Sequence, residues 1–229
     1  MNPIASIKRR IKQFINPKPM HPDAKPEGSA GVKTLGHREY VGGMWNEIGT
    51  LQFEYLKSQG LQPHHVFCDI ACGSLRAGVH LINYLDTGNY LGIEKEQDLI
   101  DAGINKELGK KTYEQKKPEL IASDSFEFSR FTRKPHYSIS QSLFTHLTPQ
   151  IINLCLTNLR AFVEPGHKSY ITFFEGDSSQ NMNTSHDHAG FRYSPDEMAK
   201  FGTDAGFAPT HIGNWNHPRN QQMFLYTAE

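Results

Sequence analysis

Three features of the 229-residue sequence predict an α/β fold built on a doubly wound, mostly parallel sheet. Short apolar runs alternate with helix-patterned segments from residue 65 onward, which implies parallel strands covered on both faces. The first of these, in "VFCDIACGSLRAGVHLINYL" (66–85), breaks at Gly73 into a helix, the turn at which such sheets meet their ligands. The tail then abandons the alternation for two successive strand patterns, so the sheet should end in an antiparallel strand.

Composition sets the limits. With 37% hydrophobic residues the chain can bury a full core, and residues 36–229 read as one large domain behind an arm and linker at 1–35. Net charge is zero, which supplies no field for nucleic acid. Residues 1–37 are an exception, with seven basic residues against two acidic ones, a net +5 that the remainder balances. Cys68, Cys72 and Cys155 form an odd set without a CxxC pair, as expected of a reducing compartment without structural zinc. No apolar run reaches the ~18 residues of a membrane span and no secretory h-region is present, so a cytoplasmic protein is expected.

The elements follow in order. "IASIKRRIKQFI" (4–15) places Ile4, Ile7, Ile11, Phe14 and Ile15 at helical spacing opposite basic residues. Such an N-terminal helical arm suits docking on its own domain, self-association with a second subunit, peripheral contact with an anionic membrane, or a cleaved targeting peptide, and these readings stay open. Residues 16–31, rich in proline and polar side chains, read as a linker. A helix over about 44–59 is entered through Gly42-Gly43 and ended by Gly60. Strands are expected at 65–70, 90–94, 119–123, 137–141 and 169–175, with helices at 75–85, 96–108 and 149–163 between them. The cap-like "SPDE" opens a helix near 194–205. Strands at 208–215 and 221–227 are joined by "NHPRN" (216–220), a hairpin-length turn, and for "HPRNQ" (217–221) an acceptor-binding role is the second reading after a plain hairpin.

Gly73 allows a close backbone approach at a helix N-terminus, which suits an anionic or polar ligand. The dinucleotide fingerprint GxGxxG fails, since Ala71 and Arg76 stand where two of its glycines belong. The P-loop also fails, because Val79 and His80 replace its lysine and hydroxyl. Acids end three successive strands instead: Asp69, Glu94 and Asp124. Glu94 lies 21 positions after Gly73, where an acid can accept from a ribose diol, and Asp124 can accept from an adenine amine, so a nucleoside with free hydroxyls is expected.

"FCDIACGS", "YLGIE", "IASDSF" and "SISQSLFTHL", in this order, resemble the successive motifs of class I S-adenosylmethionine-dependent methyltransferases, and the likeness runs from about residue 36 to 229. The turn "CGSLRAG" is similar to that of a bacterial subgroup of these enzymes. The resemblance implies a Rossmann-like sheet of order 3-2-1-4-5-7-6 and S-adenosyl-L-methionine as cofactor. It implies Asp69, Ala71 and Gly73 at the methionine end, Glu94 on the ribose, Asp124 with Ser125 or Phe126 by the adenine, and Gln141 beside the cofactor at the end of the fourth strand. The family's usual acid-x-Gly-x-Gly-x-Gly has Ala71 and Leu75 in its first and third glycine positions here, and Leu75 is expected to narrow the loop.

The implied chemistry is in-line methyl transfer to a small-molecule or saccharide acceptor, with oxygen as the acceptor atom and a general base to take its proton. His146 is the first candidate base and Glu175 the second. The competing readings are a helix cap at Thr148-Pro149 for His146 and a loop acid for Glu175. Arg76 either pairs with the cofactor's carboxylate or makes a surface salt bridge. Phe144, Tyr40 and Trp45 are candidate pocket aromatics, against a purely core role. The long polar stretch 175–191 reads as a lid over the acceptor, and a metal site on its His186, Asp187 and His188 is disfavoured because three adjacent residues rarely converge on one ion. No Asn/Asp-Pro-Pro-aromatic stretch follows the fourth strand, which argues against base methylation of DNA. A protein side chain as acceptor, a non-catalytic module that binds S-adenosylmethionine or S-adenosylhomocysteine, and a nicotinamide-dependent oxidoreductase are the alternatives.

Overall fold

The computed structural model describes residues 25–229, so the basic arm expected at 4–15 lies outside the described residues. An eight-stranded sheet forms the centre. Its strands are β1 (Phe67–Ile70), β2 (Tyr90–Glu94), β3 (Glu119–Ala122), β4 (Tyr137–Ser140), β5 (Lys168–Glu175), β6 (Arg192–Tyr193), β7 (Phe207–Asn214) and β8 (Gln222–Ala228). The order is 3-2-1-4-5-8-7, with the two-residue β6 added beside the end of β5. This is the predicted order once the unexpected β6 is counted, and β8 is the strand that runs antiparallel to β5.

Eight α-helices are named along the described chain: α1 (Gly28–Leu35), α2 (His37–Tyr40), α3 (Trp45–Ser58), α4 (Gly78–Tyr84), α5 (Gln97–Ala102), α6 (Lys110–Lys116), α7 (Pro149–Phe162) and α8 (Pro195–Asp204). None is long and apolar enough to cross a membrane. Strands buried on both faces account for the unbroken apolar runs. Phe67, Ile139 and Tyr170 pack with Leu56 of α3 and Leu81 of α4, while Cys68, Ile93 and Phe173 pack on the other face with Ile152, Leu156 and Leu159 of α7. Each of those fully buried α7 side chains contributes about 1.5–3 kcal/mol by leaving water. Ser194 and Glu197 close α8 with the capping box read from "SPDE".

Four expectations are corrected. Residues 28–31, read as linker, belong to α1, where Val32 is buried against the domain. The helix after Gly73 starts at Gly78 rather than at Leu75, because residues 73–77 form turns. α6 was not anticipated, since "KKTYEQK" offers no apolar stripe. α5 widens into a π-helical stretch, Gly103–Leu108, where it presses on the turn after β1. A Cβ on Gly103 would lie 2.9 Å from the Ser74 carbonyl oxygen.

Candidate active site

The carboxyl ends of β1, β2, β4 and β5 open into a cavity of about 1180 Å³. Three further segments line it: a strap, residues 25–42, through Lys25 and residues 39–42; the lid, 175–192; and the β7–β8 turn, 217–221.

The strand-to-helix turn is held in an uncommon backbone form. Ala71, Gly73 and Leu75 all have positive φ, at 61°, 55° and 67°. For the two residues with a side chain this costs on the order of 1–2 kcal/mol each, a concentration of strain of the kind found at ligand sites. Gly73 makes room for the strap, because a Cβ there would come within 2.9 Å of Val41 Cγ1. Leu75 does not narrow the loop: its side chain is fully buried in the core beside Gly78 and Gly103, away from the cavity.

The two acids lie on either side of this turn. Asp69 is buried and accepts from Tyr90 Oη at 2.8 Å, and burial raises its pKa to about 6. Glu94 accepts from the amides of Gly73 (3.0 Å), Lys95 (2.8 Å) and Glu96 (3.1 Å). Burial pushes its pKa up while those amides pull it back. A carboxylate has about four acceptor sites. One therefore remains for a bound hydroxyl, fewer than the pair of bonds that a ribose diol would fill.

Further along the cavity, Asp124 is exposed on the wall and Phe126 is buried there with φ 56°. Ser125 is turned to solvent outside the lining. Arg76 makes no surface salt bridge. It is buried and donates from Nη1 to the Val41 and Gly43 carbonyls, 3.0 Å each, with burial lowering its pKa to about 10. Gln141 joins a buried polar network in which its Nε2 lies 3.1 Å from Gln221 Oε1 and 3.2 Å from His217 Nε2. Its Oε1 is sealed from solvent without a partner.

His146 lines the cavity, and burial lowers its pKa to about 4. It does not cap α7, whose N-terminus has no side-chain cap bond, and its Nδ1 has no partner. Glu175 is exposed on the wall. Tyr40 lines the cavity, whereas Phe144 is fully buried in the core and Trp45 lies outside the lining beneath the Arg38 guanidinium. His186, Asp187 and His188 face separate partners, namely Glu27, Lys95 with Tyr40, and the Pro26 carbonyl. No group of three or more His, Cys, Asp or Glu among the described residues is placed to hold a metal ion.

The sequence reading put a plain hairpin ahead of acceptor binding for 217–221, where His217 and Gln221 are buried and Arg219 lies on the cavity wall, and it missed Lys95 and Arg192 on that wall. The polar pair Gln221-Gln222 opening an apolar strand was the available signal.

No protein-family model matches the chain. It is similar to solved structures at low identity. Magnesium protoporphyrin IX methyltransferase from Synechocystis PCC 6803, solved with SAM bound, matches at 13% identity and a TM-score of 0.60, over 100% of both chains. Human N-acetylserotonin methyltransferase, in complex with SAM, matches at 11% identity and TM-score 0.65, over 98% of this chain and 66% of that one. An O-methyltransferase family protein from Burkholderia thailandensis matches at 11% and 0.62, over 98% and 69%. With the sheet order, these likenesses show a Rossmann-like fold of the methyltransferase type.

Proposed function

We propose that this chain is an S-adenosylmethionine-dependent methyltransferase that O-methylates a small-molecule or saccharide acceptor. The observation that carries the proposal is the pair of buried acids, Asp69 and Glu94, held around the strained Gly73 turn at the floor of the large cavity. The cavity fits the cofactor: the turn brings backbone close, Glu94 keeps one free acceptor site, and Phe126 and Asp124 stand further along the wall where a base would lie. S-adenosylmethionine supplies an electrophilic methyl group when bound.

The chain's own residues do the rest. Asp69, Ala71 and Gly73 take the methionine end, with Arg76 and Gln141 beside it, and Glu94 takes a ribose hydroxyl. Asp124 and Phe126 take the base, with Ser125 behind them in the turn. His146 lines the cavity and is neutral at pH 7, so its ring can accept the acceptor's hydroxyl proton, though not through Nδ1, which is sealed from solvent. Glu175, also in the lining, is the second base candidate. Holding the acceptor aligned accounts for the larger part of the rate, about 7–11 kcal/mol. Residues 36–229 form the catalytic domain in this reading, with 25–35 docked onto it, and the likeness of the "CGSLRAG" turn supports a place in the bacterial subgroup. The three buried free cysteines suit a cytoplasmic setting.

Calorimetry with S-adenosylmethionine, S-adenosylhomocysteine and NAD tests this reading. Binding of the first two without NAD is expected, followed by methyl transfer to a hydroxylated acceptor from a panel. Absence of binding would overturn the reading, and binding without transfer to any acceptor class would leave a cofactor-binding module.

A further inference from the structure

Between the cofactor end and the acceptor end of the cavity stands one side chain that the proposed chemistry does not use. The Asp187 carboxylate, in the lid, accepts from three elements: the Lys95 ammonium next to Glu94, the Tyr40 hydroxyl of α2, and the Gly28 amide of α1 at 3.2 Å. Lys95 and Tyr40 outweigh its burial and hold the carboxyl below the usual range. The peptide around it is tied the same way. The Asp187 amide donates to Glu27 Oε2 at 2.9 Å, and His186 Nε2 lies 3.3 Å from Glu27 Oε1.

The lid's other side is fastened to the segment that carries the candidate base. The His186 amide donates to the His146 carbonyl at 3.1 Å, and the Phe191 amide to the Thr145 carbonyl at 2.7 Å. One short loop therefore has the strap and the end of β2 on one side and His146 on the other. The strap is also anchored elsewhere, by Ser29 and Lys33 on Asp98 and by His37 and Arg38 on Glu107, and these bonds do not touch the lid.

We infer that Asp187 is a positioning residue: it makes closure of the strap over the cofactor half of the cavity and placement of His146 in the acceptor half one event. This rests on the methyltransferase reading for its consequence, though not for the coupling itself. Lifting the strap to load the cavity breaks the contacts of Asp187 and frees the lid. Closing it restores the lid and, through residues 186 and 191, the His146 backbone.

Hydrogen exchange and kinetics of Asp187→Asn, Asp187→Glu and Asp98→Asn test the inference. Without any ligand, Asp187→Asn should speed amide exchange in residues 28–40 and 186–191 together, and Asp98→Asn should speed it in the strap alone. With cofactor and acceptor saturating, Asp187→Asn should lower kcat by about 10- to 100-fold, the range for losing a hydrogen bond to a charged group, with a smaller change in acceptor KM. Asp187→Glu, which keeps the charge, should recover part of that loss, and Asp98→Asn should keep kcat. Unchanged exchange in the lid of Asp187→Asn, or equal kcat losses in Asp187→Asn and Asp98→Asn, would overturn the inference. Coupled exchange in a protein that binds no S-adenosylmethionine would sustain the coupling and sink the methyltransferase reading instead.

Discussion

Glu94 and His146 do opposite things with their surroundings. Glu94 has three of its about four acceptor sites filled by backbone donors and one left for a ligand, so Glu94→Ala should act twice. It should weaken S-adenosylmethionine binding by about 1.5–3 kcal/mol in calorimetry, and it should lower the stability of the ligand-free protein by about 1–3 kcal/mol because three amides lose their acceptor. Binding loss without a change in melting would show that those amides find other partners. His146 is unsaturated and kept neutral by burial. A base works only when deprotonated, so activity should persist as pH falls through 6.5 and be lost near pH 4. An acid limb near 6.5 in the kcat profile would assign proton removal to another group. Both residues were legible in the sequence because each ends or follows a clear strand pattern. His217, Gln221 and the clamp on Asp187 were not, because their partners are remote: Gly28 and Asp187 lie 159 positions apart, and Gln141 and Gln221 lie 80 apart. Periodicity reports a residue's own element, and no local pattern reports a partner at that distance.

Elements with an apolar stripe or a capping signal were readable, and those set by contact were not. "YLGIE" coincides with β2, and "SPDE" opens α8. The π-helical widening of α5, with Gly103 and Leu108 buried, depends on packing rather than on pattern, and α6, with no buried residue, has no stripe to be read. That widening gives Gly103 a role beyond its own helix. Gly103→Ala would drive a methyl group to within 2.9 Å of the Ser74 carbonyl, in the turn that carries Gly73. Overpacking of this kind costs about 1–3 kcal/mol, and here it should also weaken cofactor binding although Gly103 does not line the cavity. Calorimetry beside a thermal melt checks this, and a melt shift with unchanged affinity would confine the effect to the core.

Across the whole molecule the buried histidines control the response to acid. His146, His167 and His217 have pKa values lowered by burial to about 4, 4 and 3. Each is neutral when folded and takes up a proton when the chain unfolds below pH 6.5. Their contribution is therefore complete above pH 6.5 and is lost as pH falls, at up to about 4 kcal/mol per pH unit for the three. Asp69, raised to about 6, works the other way between pH 6 and 4, because there the folded chain already holds its proton. It offsets roughly a third of the loss. Urea unfolding at pH 7, 6 and 5 should show stability falling on acidification, most steeply below pH 6, and a flat profile would mean that these rings are protonated in place.

The separation in sequence of the two halves of the cavity also fixes the order in which a chain can acquire them. Tyr90 meets Asp69, and Gly73 meets Glu94, across 21 positions each, so the cofactor floor is made from near neighbours. The roof joins Gly28 to Asp187, and Arg219 to Gly42 across 177 positions. Short loops close at lower entropic cost and sooner than long ones. On the ribosome the floor is therefore within reach of a nascent chain that has not yet made its lid, and the roof comes only once residues 187 and 219 have been made.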